Sequence, residues 1–142
     1  MKTIQQLLDA KGHDVWSVAP DTSVYDALSL MADKEVGALM VSRDGKPVGI
    51  MSERDYARKV ILAGRASKET PVSDIMTSRF VCTSPQRTIE ECMAVMTEKR
   101  VRHLPVINHK KVDGIVSIGD LVKAIIHEQQ FIIDQLEHYI SS

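Results

Sequence analysis

An α/β fold of the α+β kind, built from two tandem β-α-β-β-α units, is what this sequence predicts. Three observations carry that prediction. A register of identity runs through the chain at an offset of 65 residues, pairing Pro20 with Pro85, Met31 with Met96, Lys34 with Lys99, Val36 with Val101, Leu39 with Leu104, Val41 with Val106, Gly49 with Gly114, Ile50 with Ile115, Ser52 with Ser117 and Asp55 with Asp120. Each copy has one apolar stripe at the spacing of a helical face, and each has short apolar runs divided by polar turns, the mark of paired strands. Conservative pairs such as Val24/Ile89, Leu28/Met93 and Met51/Val116 lie between the identities, so the burial pattern repeats along with the letters.

The elements follow in order. Residues 3–10 are expected to form a short turn ahead of copy one. The β-compatible runs Val15-Trp16-Ser17-Val18 and Phe80-Val81-Cys82-Thr83 each precede a proline that ends a strand. A helix follows, with Val24, Ala27, Leu28 and Met31 on one face in copy one and Ile89, Cys92, Met93 and Met96 in copy two. Ser23 with Asp26, and Thr88 with Glu91, supply the capping oxygens and acids of a helix start. Ala38-Leu39-Met40-Val41 and Leu104-Pro105-Val106-Ile107 read as strands, turned back by Arg43-Asp44-Gly45-Lys46 and Asn108-His109-Lys110-Lys111. The returning strands Val48-Gly49-Ile50-Met51 and Val112-Asp113-Gly114-Ile115-Val116 run directly into helices near Ser52 and Ser117.

The linker Lys68 to Ser78 contains Pro71, and Val72-Ser73-Asp74-Ile75-Met76 reads as a helical turn within it. Residues 1–66 thus make the first repeat and residues 67–142 the second. A unit of about 45–50 residues buries too little to stand alone, so the repeats are expected to pack as one pseudo-twofold module. Beyond Asp120, the positions Leu121, Val122, Ile125, Ile126, Ile132, Ile133, Leu136 and Ile140 describe a long amphipathic helix that outlasts its copy-one counterpart. Its apolar face needs cover from its own domain or from a second subunit.

Composition narrows the function. The chain has 142 residues, 44% hydrophobic and 26% charged, which is ordinary for a globular protein. A net charge of −1 provides no basic field for nucleic acid. No segment approaches the ~18 apolar residues of a membrane span, and the N-terminus lacks a signal-like apolar stretch, so cytoplasmic residence is expected. Cys82 and Cys92 lack metal-ligand spacing and are expected to be packed, reduced thiols, with no metal site. His13, His109, His127 and His138 share no motif and are expected on the surface, and Trp16 is expected in the core.

The positions with chemical meaning are the two strand-to-helix junctions, Gly49-Ile50-Met51-Ser52-Glu53-Arg54-Asp55 and Gly114-Ile115-Val116-Ser117-Ile118-Gly119-Asp120, both of the form G-h-x-S-x-x-D. A helix N-terminus offers unpaired amides and a positive dipole end to a phosphate. Serine can donate there, and an aspartate one turn on can accept both hydroxyls of a ribose cis-diol. The glycine allows a ligand or a backbone to approach closely. The same letters also suit a helix-capping box, although that motif prefers Glu or Gln where both copies have Asp.

Taken together, the doubled junction, the linker Val72-Ser73-Asp74-Ile75-Met76-Thr77 and the run Arg102-His103-Leu104-Pro105-Val106 resemble a pair of CBS domains forming a Bateman module, over roughly residues 3–130. That resemblance implies binding of AMP, ADP, ATP or a related adenosyl ligand such as NAD in two clefts between the copies, and a homodimer. For one cleft it implies Asp120 on the ribose, Ser117 and Gly119 near the phosphates, basic Arg102 and His103 as phosphate contacts, and Ala19, Val36 and Gly37 against the adenine. For the other it implies Asp55, Ser52 and Arg54, with Ser84 and Val101 near the base. Copy one has Gly37-Ala38 where copy two has Arg102-His103, which weakens the case for phosphate there. Arg102 can also be a solvated surface arginine, and His103 a satisfied or exposed histidine.

The expected function is a regulatory nucleotide sensor acting on an unidentified protein target. The alternative is a ligand-independent dimerisation scaffold working through the C-terminal helix. An enzyme fits poorly, since there is no GxxxxGK[ST] loop, no HExxH and no nucleophile with a matched base. No catalytic cofactor is expected.

Overall fold

The computed structural model describes residues 2–141. Along the chain run α1 (Ile4–Lys11), β1 (Ser17–Val18), α2 (Val24–Lys34), β2 (Ala38–Arg43), β3 (Lys46–Ser52), α3 (Glu53–Tyr56), a π-helical turn (Ala57–Ile61), a 3-10 turn (Val72–Asp74), α4 (Ile89–Lys99), β4 (His103–Asn108), β5 (Lys111–Ser117) and α5 (Ile118–Ser141). Copy one has the predicted order, and copy two has it from its first helix onward. The chain divides into two compact units, one of residues 14–80 with 110–112, the other of residues 1–13, 81–109 and 113–142.

In the copy-one unit, β1 pairs in parallel with β2, and β2 pairs antiparallel with β3 through the Asp44-Gly45 turn. Both turn residues have positive φ, 52° at Asp44 and 78° at Gly45, as the twist of a two-residue hairpin requires. Ser23 caps α2 by accepting from the Asp26 amide, and Glu35 ends it in the left-handed conformation. Val24, Ala27 and Met31 from α2 bury against Leu39, Val41 and Met51 from the strands and Val72 and Ile75 from the linker. Trp16 is half-buried at the edge of this core, with the Lys34 ammonium 4.4 Å from its ring centroid.

The copy-two unit repeats the plan. A Thr88–Glu91 capping box starts α4, Arg100 ends it in the left-handed conformation, and Ile89, Cys92 and Met96 bury against Leu104, Val106, Val116 and Leu121. The strand expected at Phe80–Thr83 does not form. Thr83 alone bridges Val106 in parallel, its amide donating to the Pro105 carbonyl and its carbonyl accepting from Ile107, before Pro85 ends the run. Cys92 is buried as expected, whereas Cys82 is exposed because no strand turns it inward.

Residues 3–10 form more than a turn. Thr3 and Gln6 close a full capping box on α1, and Ile4, Leu7 and Leu8 bury in the copy-two core. The segment preceding copy one therefore packs on copy two, while the linker preceding copy two packs on copy one. Their backbones do the same thing: the Ile4 amide donates to Arg87 O and Gln5 to Pro85 O, as Val72 donates to Thr22 O and Ser73 to Pro20 O. Those acceptors are 65 residues apart in both cases.

Candidate functional site

Each motif serine sits at the end of its last strand and caps the helix that follows. At copy one, the Ser52 hydroxyl accepts from the Asp55 amide, while the Asp55 carboxylate reaches back to the Ser52 amide at 2.9 Å. At copy two, the Asp120 amide donates to Ser117 Oγ at 3.1 Å and the Ser117 amide to Asp120 Oδ2 at 2.9 Å. Both are reciprocal capping boxes. Aspartate is thus long enough for the fourth position, contrary to the preference that argues against capping, because the extended serine backbone presents its amide to the shorter side chain.

The first helical amides also have protein partners. Ile118 N donates to Arg102 O, and Glu53 N donates to Gly37 O, at 2.9 and 3.1 Å. These bonds hold Arg102, and with it His103 at the start of β4, beside the Ser117–Asp120 junction. They hold Gly37 beside Ser52–Asp55 in the same way.

The glycines open the junctions to other parts of the chain. A Cβ on Gly114 would lie 2.7 Å from Leu8 Cδ2, and one on Gly49 would lie 2.6 Å from Met76 Sδ and 3.1 Å from the Thr77 carbonyl. Of the two close approaches expected there, the structure shows the protein one. Gly119 is different: its nearest neighbour to an added Cβ is Ser117 Oγ at 3.6 Å, an ordinary contact. Packing does not require a glycine at that helical position.

The two carboxylates are held differently. Asp55 carries donors on both oxygens: the Ser52 amide and hydroxyl on Oδ2, Thr77 Oγ1 at 3.4 Å and Lys59 Nζ at 3.1 Å on Oδ1. At Asp120, the Ser117 amide and the Lys11 ammonium share Oδ2, the ammonium at 2.6 Å. Lys11 Nζ also donates to the Ile115 carbonyl at 2.6 Å, and Lys59 Nζ to the Ile75 carbonyl at 2.9 Å. The Asp120 side chain is 26% exposed and that of Asp55 only 13%. Burial pushes the Asp120 carboxyl upward, but the hydrogen bonds from Lys11 and Ser117 and the Lys11 charge outweigh it and hold the group below its ordinary value. Sequence reasoning misses Lys11 and Lys59, since neither belongs to the junction motif.

The other predicted residues fall into two sets. Arg102 is exposed, and His103, Ser84 and Val101 are half-buried, all in the unit that holds Asp120. Arg54, Val36 and Gly37 are half-buried and Ala19 is exposed, all in the unit that holds Asp55. Val36 and Gly37 help line a pocket of about 510 Å³ with Leu28, Met31 and Tyr56, rimmed by Glu35 and Glu53. His13, His109, His127 and His138 are exposed. Among the described residues no cluster of His, Cys, Asp and Glu could hold a metal ion, and no helix is long and apolar enough to cross a membrane.

Two repeats of this build, with matched serine–aspartate junctions, are the architecture of paired CBS domains. The CBS domain family model matches residues 9–61 and 72–127, and the chain belongs to that family. It is 41% identical over 97% of its length to a mitochondrial CBS domain-containing protein of Arabidopsis thaliana, covering 71% of that protein. A solved structure of a protein with CBS domains from Burkholderia ambifaria shares 47% identity, with a TM-score of 0.87 over 90% of this chain and 96% of that one. The CBS domain pair of MJ0100, solved in complex with 5-methylthioadenosine and S-adenosyl-L-methionine, shares the fold at 18% identity, with a TM-score of 0.78 over 90% of this chain and 98% of that one. Paired CBS domains are regulatory and signalling modules, and some bind adenosyl ligands.

Proposed function

We propose that this protein is an adenine-nucleotide sensor and that its working site is the Asp120 junction, taking AMP, ADP, ATP or a related adenosyl ligand such as NAD. The Asp120 carboxylate carries the reading. It is the more exposed of the two, it is ionised, and its donors share one oxygen, so a cis-diol has less to displace there than at Asp55. Arg102 and His103, beside the same helix start, supply the basic groups that a phosphate needs. The adenosyl ligands of the MJ0100 domain pair are consistent with this chemistry.

Asp55, Ser52 and Arg54 are assigned the weaker second site. Titration with AMP, ADP, ATP and NAD while following the melting temperature tests the reading. At 100-fold excess over the dissociation constant a ligand stabilises by about 2.7 kcal/mol, which for this size raises the melting point by roughly 5–10 °C. No shift with any of the four overturns it.

A second reading, self-association through α5, is favoured by one observation. Phe131, Ile132, Ile133, Leu136, Tyr139 and Ile140 are all exposed on that helix. Val122, Ile126, Gln129, Ile133, Leu136 and Ile140 alternate by four and three residues, the heptad seam of a two-stranded coiled coil. A homodimer that persists when Asp120 is replaced, yet dissociates in sedimentation when Ile133 and Leu136 become glutamate, is the expected result.

A further inference from the structure

Both carboxylates are held by a lysine whose ammonium also binds a backbone carbonyl, but the lysines come from different places. Lys59 lies one turn beyond Asp55 on the same helical segment. Lys11 is 109 residues from Asp120 in sequence, on the last turn of α1. Releasing Lys59 from Asp55 frees only a neighbouring side chain. Releasing Lys11 from Asp120 loosens the attachment of a separate helix.

The chemistry at Asp120 makes that release a consequence of binding. Each carboxylate oxygen offers two lone-pair directions, and on Oδ2 one is taken by the Ser117 amide and one by Lys11. A cis-diol bound in bidentate fashion places one hydroxyl on each oxygen. The Ser117 amide is fixed in the helix cap, whereas Lys11 reaches Oδ2 on a long, rotatable side chain that is 42% exposed. The hydroxyl therefore enters where the ammonium sits.

We propose that Lys11 is the counter-ion that a ribose-bearing ligand displaces from Asp120, so that filling the site loosens the last turn of α1, leaving the Lys11 bond to the Ile115 carbonyl and the His13 contact to the Asp113 carbonyl to hold it. The proposal rests on the reading of Asp120 as the ribose-binding carboxylate. It gives the protein an output: α1 stays anchored by Leu8 beneath Gly114 while its C-terminal end, from Asp9 to Gly12, changes state with ligand.

The test compares the full chain with its Lys11→Met and Lys11→Gln variants, using adenosine and ATP as probes in calorimetric titration and amide hydrogen exchange over residues 5–12. Removing the competitor is expected to tighten adenosine binding about 10-fold, equal to ~1.4 kcal/mol. In the wild type, ligand accelerates exchange at residues 9–12. In both variants those amides exchange fast without ligand and no longer respond to it. Adenosine affinity unchanged or weakened in the variants, with the wild type still binding, overturns the displacement alone. If neither the wild type nor the variants bind either probe, the nucleotide reading fails and the displacement falls with it.

Discussion

The Ser52–Asp55 and Ser117–Asp120 junctions share their letters and their capping geometry, yet they are built into the protein differently. At Asp55 the donors come from the linker, through Thr77, and from the same helical segment, through Lys59. At Asp120 the extra donor comes from the N-terminal helix. The helix after Ser52 breaks after one turn into a π-helical turn that ends at Ile61, whereas the helix after Ser117 runs 24 residues. Duplication has kept the strand-to-helix handover and changed what is tied to it. Asp55, the less exposed carboxylate, is held by four donors, whereas Asp120 is more open and tied by a distant lysine.

The largest expected effect tests the helix that makes this difference. Leu8 is fully buried in the copy-two core and fills the space left by Gly114. Leu8→Ala should destabilise by about 2–5 kcal/mol, seen as a lower urea midpoint at unchanged slope. Met76, the half-buried counterpart beneath Gly49, should cost clearly less when replaced by alanine. Equal losses would mean that α1 is no better anchored than the linker.

A smaller pair of effects separates the two carboxylates. Asp55→Asn removes a charge from a site with four donors and should cost about 1–3 kcal/mol, with the response to ATP retained. Asp120→Asn should cost less stability and abolish the ATP-induced rise in melting temperature. Thermal melts of both variants with and without ATP decide it, and the reverse pattern would exchange the roles assigned to the two junctions.

Much of this architecture is legible in the amino-acid sequence. The 65-residue register exposes both units, and the Asp44-Gly45 turn, the α2 and α4 faces and the long α5 follow from local pattern. What escapes is long-range. Residues 3–11 and 71–79 lie 68 positions apart, off the main register and without a shared letter, so their exchange between the copies leaves no identity in the repeat. The Phe80–Thr83 strand fails because β-propensity speaks to a residue's fit in a sheet and not to whether a partner extends alongside it. Lys11 escapes because an ion pair across 109 residues has no sequence period to announce it. The junction letters themselves suit two roles, and geometry shows capping at both while leaving Asp120 the more open.

The smallest effect concerns the same end of α1. His13 Nδ1 lies 3.1 Å from the Asp113 carbonyl and Nε2 lies 3.2 Å from the Asp9 carboxylate. Both neighbours are acceptors, and only the imidazolium can donate from both nitrogens. The Asp9 hydrogen bond, then that of Asp113, raises the His13 pKa above its ordinary 6.5 despite the opposing effect of burial. A raised folded-state value means that the contribution is fully present below about 6.5 and is lost as pH rises through the folded value. The Asp120 carboxyl runs the other way: its lowered value gives a contribution present above about 3.8 and lost as acid titrates through the folded value. Melting temperatures of wild type and His13→Gln should therefore differ most below about pH 6.5 and converge as pH rises through the folded value, while Lys11→Met narrows the acid-side loss. A His13→Gln difference that stays constant across this range would show that the histidine only packs, and that the tie between α1 and β5 at this point is indifferent to protons.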